Sequence, residues 1–531
     1  MGSISDRLLS GRSSGPCHMG RRRRVSLPSG SRCASSRRQR MLPAIKRRDF
    51  LAVALATASS GLTNLAISSS AFASGAAITR PSTRSKAGEN ALAQYRAGVK
   101  LMKSRSEANP IDPRGWTFQG LIHGILSRGS KQGFIATVFG NAPETDPDRR
   151  LAVACWATCP HGSIEFLPWH RIYVYFFERI VRQAVEEATG ETDFVLPYWN
   201  YSADEDSLIL PAAFREIVDG SPLGNALFNI ARDAEINGLF AAPKPLPAED
   251  VALAALEEAV FEATNSASGF SASLEMSPHG PIHVDIGGTD NIGLGVGDMA
   301  SPSTAGRDPI FWMHHANIDR LWDSWLKSGG ETVESYKDRP WYNKKWSFVD
   351  ETGARQDISL ADFVALTNGQ PIAYEAYENI ARRQQLVAVA STPTTFKSES
   401  ADPMPLSSTG NSIALKSEGQ SLVAPSTTIE SARVVIERLA VRSEVGTVFD
   451  VFLNLPDGKP DRSRLIGSFT LFGLAMEGMV HETRMVFDIT KKAKEMQANG
   501  SWPAEPTVTI LPRDKFIGEP ATIGSVTLVL E

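Results

Sequence analysis

The chain has 531 residues, 42% apolar and 21% charged, ordinary fractions for a soluble globular protein long enough for more than one domain. Its net charge of −4 averages two unlike parts: residues 1–48 hold 13 basic side chains and one acid, Asp6, while the body from Ser74 onward holds 42 basic against 57 acidic side chains, a net of −15. An acidic body argues against nucleic acid or an anionic membrane as partner.

The N-terminus reads as an export signal. Lys46-Arg47-Arg48-Asp49-Phe50-Leu51 resembles the twin-arginine motif, a modestly apolar run follows to Ile67, and Ala71-Phe72-Ala73 fits a small-residue cleavage site. Residues 41–73 are therefore expected to be a signal peptide and the product to be exported, periplasmic or secreted. Residues 1–40, upstream of Met41 and including Arg21–Arg24, read as an extension outside the working protein. Thr, Ser and Gly interrupt the apolar run, so no stable membrane anchor is expected. Of four cysteines, only Cys155 and Cys159 lie in the body, which is no disulfide framework, although a local bridge between these two stays open.

In chain order, Ala91–Met102 has a helical pattern. Asp112-Pro113 opens a second helix through Trp116, Gly120 and His123, ending near Gly129. A strongly apolar helix spans Trp169–Ala188, with His170, Val174, Phe177 and Val181 on one stripe. Pro197–Tyr201 reads as an aromatic turn. Residues 204–272 read as helix-like, with Val251–Ala263 a structural helix. Pro281, between His279 and His283, fits only a first turn, so a helix begins there. After the glycine-rich loop Gly287–Ala305, Asp308 caps and Pro309 opens a helix that Gly329-Gly330 stops.

Seven of the nine histidines fall within these elements: His123, His161, His170, His279, His283, His314 and His315. Imidazoles without a ligating carboxylate suit copper, zinc, iron or nickel rather than calcium or magnesium. His279 and His283, four apart, share a helical face, whereas the adjacent His314 and His315 point about 100° apart. One of that pair is expected to be a ligand and the other a neighbour. Two three-histidine sets on four helices would hold two ions at a bundle centre, close enough to share one dioxygen.

These residues carry a resemblance. The nine-residue step from His161 to His170, the His279/His283 pair and Asp308–Trp322 (DPIFWMHHANIDRLW) resemble the tyrosinase and catechol oxidase (polyphenol oxidase) family of type 3 copper proteins, over nearly all of residues 90–380. The resemblance implies a mainly α core, a four-helix bundle holding a dicopper centre, across 80–385. It implies His123, His161 and His170 on the first copper, and His279, His283 and His315 on the second, with O2 as co-substrate and a small phenol as substrate. It makes Asp319 an acid that orients a ligand imidazole and Cys159 a thioether partner of His161. Glu275 stands where similar plant enzymes hold a water-positioning glutamate. Gly280 stands where members proficient with monophenols often carry asparagine, which leans the reading toward o-diphenol oxidation with weak monophenol hydroxylation. In the glycine-rich loop, Met299 is a candidate gate.

Beyond the core, 386–428 is rich in Ser, Thr and Pro and reads as a linker. Short β-branched runs then predict a C-terminal all-β sandwich or barrel at 429–531. VFDVFLN and IGSFTLF resemble the C-terminal domain of plant polyphenol oxidases, which lies over the copper site and keeps the enzyme latent. A side chain from Leu471–Met476 is expected to cover the entrance. Two other functions fit the same pattern: an o-aminophenol oxidase, and an oxygen carrier of haemocyanin type, which the export signal and single copper domain disfavour.

Overall fold

In a computed structural model, the described residues are 78–125, 130–263, 269–288, 296–367, 372–381, 393–399, 402–417, 429–442, 446–455, 459–475, 483–503, 505–515 and 519–531. The expected extension and signal peptide, residues 1–73, lie outside them. Among the described residues no helix is long and apolar enough to cross a membrane.

The chain builds a helical core followed by a β part, and each has its own apolar interior. Helix α1 (Lys86–Ala108) starts where Ser85 accepts from the Gly88 amide. Helix α2 (Trp116–His123) is shorter than its pattern predicts and ends at Gly124. A Cβ there would stand 2.4 Å from the Pro302 carbonyl oxygen, so only glycine lets that strand of backbone approach. Helix α3 (Phe166–Thr189) is deeply buried, with Ile172, Val174, Phe177, Ile180 and Val181 inaccessible. Helix α4 (Gly280–Gly287) carries Pro281 in its first turn, as expected. Helix α5 (Pro309–Gly329) begins at the Asp308 cap and ends at Gly330 in the left-handed region, also as expected.

The Val251–Ala263 helix is not formed. Short 3-10 turns at Ala248–Val251 and Ala254–Glu257 replace it. Asp250 is wholly buried and turned toward Arg513 of the β part, so an ion pair, not a helical period, orders this stretch.

The β part holds one eight-stranded sheet: β1 (Thr394–Ser398), β2 (Asn411–Ser417), β3 (Ala432–Leu439), β4 (Val448–Leu453), β5 (Leu465–Thr470), β6 (Thr483–Asp488), β7 (Thr507–Pro512) and β8 (Ser525–Leu530). The order is β5-β4-β7-β2-β1-β8-β3-β6, antiparallel throughout. Its two edges nearly meet: Phe469 of β5 lies 6.4 Å from Phe487 of β6, and a Cβ on Gly467 would meet the Phe487 ring at 2.6 Å. The sheet is thus close to a closed barrel.

Two sequence expectations need correction. The linker at 386–428 contains β1 and β2, both interior strands of the sheet. Their alternation is sparse, with Phe396 alone buried in one and Ile413 and Leu415 in the other, so Ser and Thr mask it. The β part is also not all-β: helix α6 (Thr490–Ala498) packs Ala493 and Met496 into its interior.

Candidate metal centre

The helices bring the seven histidines together. His123 is the last residue of α2, His170 lies one turn into α3, His283 is in α4, and His314 and His315 are in α5. His279 ends the irregular turn Glu275–His279 that leads into α4. His161 is in the loop before α3, which is pinned to α2 by Ala157 N–H to Leu121 O (2.8 Å) and Thr158 N–H to Ile122 O (3.1 Å).

All seven rings are buried. They form two clusters, His123, Cys159, His161 and His170, and His279, His283, His314 and His315, with donor atoms within 4.8 Å of one another in each. The clusters face each other: the His170 and His315 rings stack at 4.3 Å and 4°.

Backbone carbonyls fix the ring orientations. Nδ1 of His123 lies 2.8 Å from Pro302 O, that of His170 2.8 Å from Phe166 O, that of His279 3.3 Å from Glu275 O and that of His283 2.9 Å from Met299 O. With Nδ1 protonated toward a carbonyl, Nε2 is left as the ligand atom. Among the described residues Nε2 of His123 and of His279 are buried without a partner, and Nε2 of His283 lies 3.3 Å from Nε2 of His315. Buried imidazole nitrogens are seldom left unpaired, so these fit a metal ion.

Burial sets the protonation. It pushes His123 down to about 4 and His314 to about 3. His170, His279, His283 and His315 also fall well below their ordinary value, through burial first and neighbouring imidazoles second. Neutral rings are the form that binds a metal.

His314 is closer than its helical position suggests: its ring lies 4.9 Å from His283 and 5.4 Å from His279, and neither of its nitrogens has a hydrogen-bond partner among the described residues. Neighbours on a helix diverge, but the second cluster wraps around the side of α5 and meets both rings.

The other expected residues fare differently. Asp319 reaches no imidazole: its carboxylate takes bonds from Arg171, Arg80 and Tyr374 and so ties α5 to α3 and to the N-terminal strand Ile78–Arg80. The Met299 side chain is fully buried, and its carbonyl orients His283. Its loop lies in part, at 289–295, outside the described residues. Cys155 and Cys159 are both free thiols, so the local disulfide is absent. Cys159 Sγ lies 3.6 Å from His161 Nδ1 and 3.3 Å from His170 Nε2.

Glu275 lines a cavity of about 480 Å³ between the helical core and the β part, beside Gly162, Ser271, Thr470, Phe472 and Leu474. It accepts the Gly162 N–H at 2.7 Å, and burial pushes its carboxyl up to about 8. The β part reaches into the centre through Phe472, whose ring stacks on His283 at 4.0 Å and 14° and lies 5.4 Å from His161. Phe472 belongs to the apolar interior of the helical core, whereas its neighbours Leu471 and Leu474 belong to that of the β part. Met476, the end of the expected covering segment, lies outside the described residues. Sequence reasoning missed the orienting carbonyls, since every residue carries one and only the fold selects among them.

Residues 113–328 match the family model described as the common central domain of tyrosinase. The chain is 34% identical over 308 residues to tyrosinase HcTyr1 of Hahella sp. (strain CCB-MM4), covering 52% of this chain and 58% of that protein. It is 27% identical over 471 residues to the chloroplastic polyphenol oxidase A1 of Vicia faba, covering 80% and 72%. Latent apple tyrosinase superposes with a TM-score of 0.56 at 20% identity, over 85% of this chain and 97% of that one, a likeness of fold that includes the C-terminal β part. The two histidine-rich clusters fit the two copper ions of this class. Residues 113–328, which carry both histidine clusters, are thus similar to the central domain of the tyrosinase and polyphenol oxidase family.

Proposed function

We propose that this protein oxidises o-diphenols to o-quinones, with His123, His161 and His170 holding one copper ion and His279, His283 and His315 the other. The observation that carries the reading is the convergence of buried Nε2 atoms whose rings are anchored from behind by carbonyls. The four helices that bear four of these six rings are the proposed bundle. Bound copper supplies the redox couple between phenol and dioxygen. Two catechols give four electrons and four protons to one O2, yielding two o-quinones and two waters.

The chain's own residues do the rest. Phe166, Trp169 and Phe311 surround the rings and exclude water. Glu275, lining the cavity, is positioned to receive a phenol proton. Gly280 offers no second polar group beside it, which favours o-diphenols with weak monophenol hydroxylation. A Cys159–His161 thioether belongs to the same reading; forming it removes two hydrogens that dioxygen accepts. Phe472 occupies the approach to His283, so the full chain is latent until the β part is displaced. Export through the twin-arginine signal at 41–73 is part of the proposal.

Copper content and oxidation of catechol and tyrosine, before and after limited proteolysis, test it. Two coppers per chain and catechol turnover that rises on cleavage are expected. One ion per chain, or no quinone from the cleaved and loaded protein, sinks the reading.

A further inference from the structure

The β part meets the metal centre along one short run, Thr470 to Gly473, and glycines make two of the contacts possible. Gly280, directly after His279, is buried at the start of α4. A Cβ on it would lie 2.3 Å from Thr470 Oγ1 and 3.5 Å from Thr470 Cβ. The first distance is too short for any real contact; the second is ordinary van der Waals packing. Two residues on, Phe472 stacks on His283. Gly473 follows at a φ of 82°, and a Cβ there would stand 2.4 Å from His161 Cγ. Thr470, Phe472 and Gly473 thus touch the start of α4 and a ring from each histidine cluster.

We propose that Gly280 is the seat of the β part: the space of its missing side chain is filled by Thr470, so the residue at 280 decides whether the β part can close over the centre. The functional half of this inference rests on the latent oxidase reading; the steric half does not. The same position then has two consequences. A side chain at 280 would change the wall of the cavity and, at the same time, lift Thr470 and the Phe472–Gly473 turn off the histidines. The effect should be graded. A single methyl at 280 is relieved by turning Thr470 about χ1, which moves Oγ1 away. An asparagine extends further, against Thr470 Cβ, which no rotation moves. Gly473 is the second lock, because a methyl there meets the base of the His161 side chain and the left-handed backbone disfavours it.

Backbone hydrogen exchange of the full chain, read by mass spectrometry over residues 465–474, tests the seat without relying on catalysis. Gly280→Asn, Thr470→Leu and Gly473→Ala should each raise exchange there about tenfold, with α5 still protected. Gly280→Ala should change it little, and Gly280→Asn combined with Thr470→Gly should return toward the parent. If Gly280→Asn does not fold, Thr470→Leu decides from the other side of the contact. Parent-like exchange in Gly280→Asn and Thr470→Leu overturns the proposal, as does a double variant that stays as open as Gly280→Asn. Catechol oxidation by uncut Gly280→Asn should approach that of the cleaved parent. If the cleaved parent oxidises no catechol, the oxidase reading fails while the exchange result still decides the seat.

Discussion

A histidine ring has two nitrogens, and the partner taken by one decides where the other points. Here four rings give Nδ1 to a carbonyl and turn Nε2 inward, so single residues have separable effects. Replacing His315 by Ala should remove one copper per chain in elemental analysis. Replacing His314, which touches the same cluster without an assigned ion, should weaken copper affinity by about 10–100-fold while two ions still bind at saturation. Equal loss in both variants would reassign the ligand. The rings also couple to pH. In the metal-free fold they stay neutral, His123 down to about 4, while in the unfolded chain they take a proton near the ordinary value of about 6.5. The unfolded state therefore binds more protons between these values, and stability present above about pH 6.5 is lost as pH falls toward 4. His123 alone contributes on the order of 3 kcal/mol to that loss. Urea midpoints of metal-free protein at pH 7.5 and 5 should differ accordingly; identical midpoints would contradict the burial of neutral rings.

At the scale of elements, the best anchored is α5. Asp308 caps its first turn through the Ile310 amide and pairs with Arg232, both side chains being inaccessible to solvent. Asp308→Ala should lower unfolding free energy by about 3–5 kcal/mol, because it strands a buried guanidinium as well as removing a cap. A change below about 1 kcal/mol would mean that Arg232 finds other partners. Asp319, further along the same helix, is held by Arg80, Arg171 and Tyr374, which makes it an anchor of the helix rather than of a ring.

On the scale of the whole molecule, the β part and the helical core share charge as well as shape. Arg513 bonds Asp450 of its own sheet and the wholly buried Asp250 of the core, and Arg462 reaches Glu249 at 2.6 Å. From the same β part, Phe472 stacks on His283. Phe472→Ala should therefore raise catechol turnover by the uncut chain toward that of cleaved protein, with copper content unchanged. Turnover that stays at the uncut level would show that something other than this ring closes the approach.

The sequence by itself determined the parts with local causes. The Asp308-Pro309 start and Gly330 stop of α5, the Pro281 start of α4 and the apolar stripe of α3 are written in caps, prolines and a 3.6-residue period. The ligand candidates were legible too, because seven buried imidazoles have few other uses. Tertiary structure decided the rest. β1 and β2 became interior strands because neighbouring strands offered hydrogen bonds that their Ser- and Thr-rich sequences do not advertise. Asp319 left its expected task because partners far along the chain claimed its carboxylate. Which carbonyl meets which ring, and whether Thr470 fills the space at Gly280, depend on contacts between distant segments, and local sequence carries no record of those.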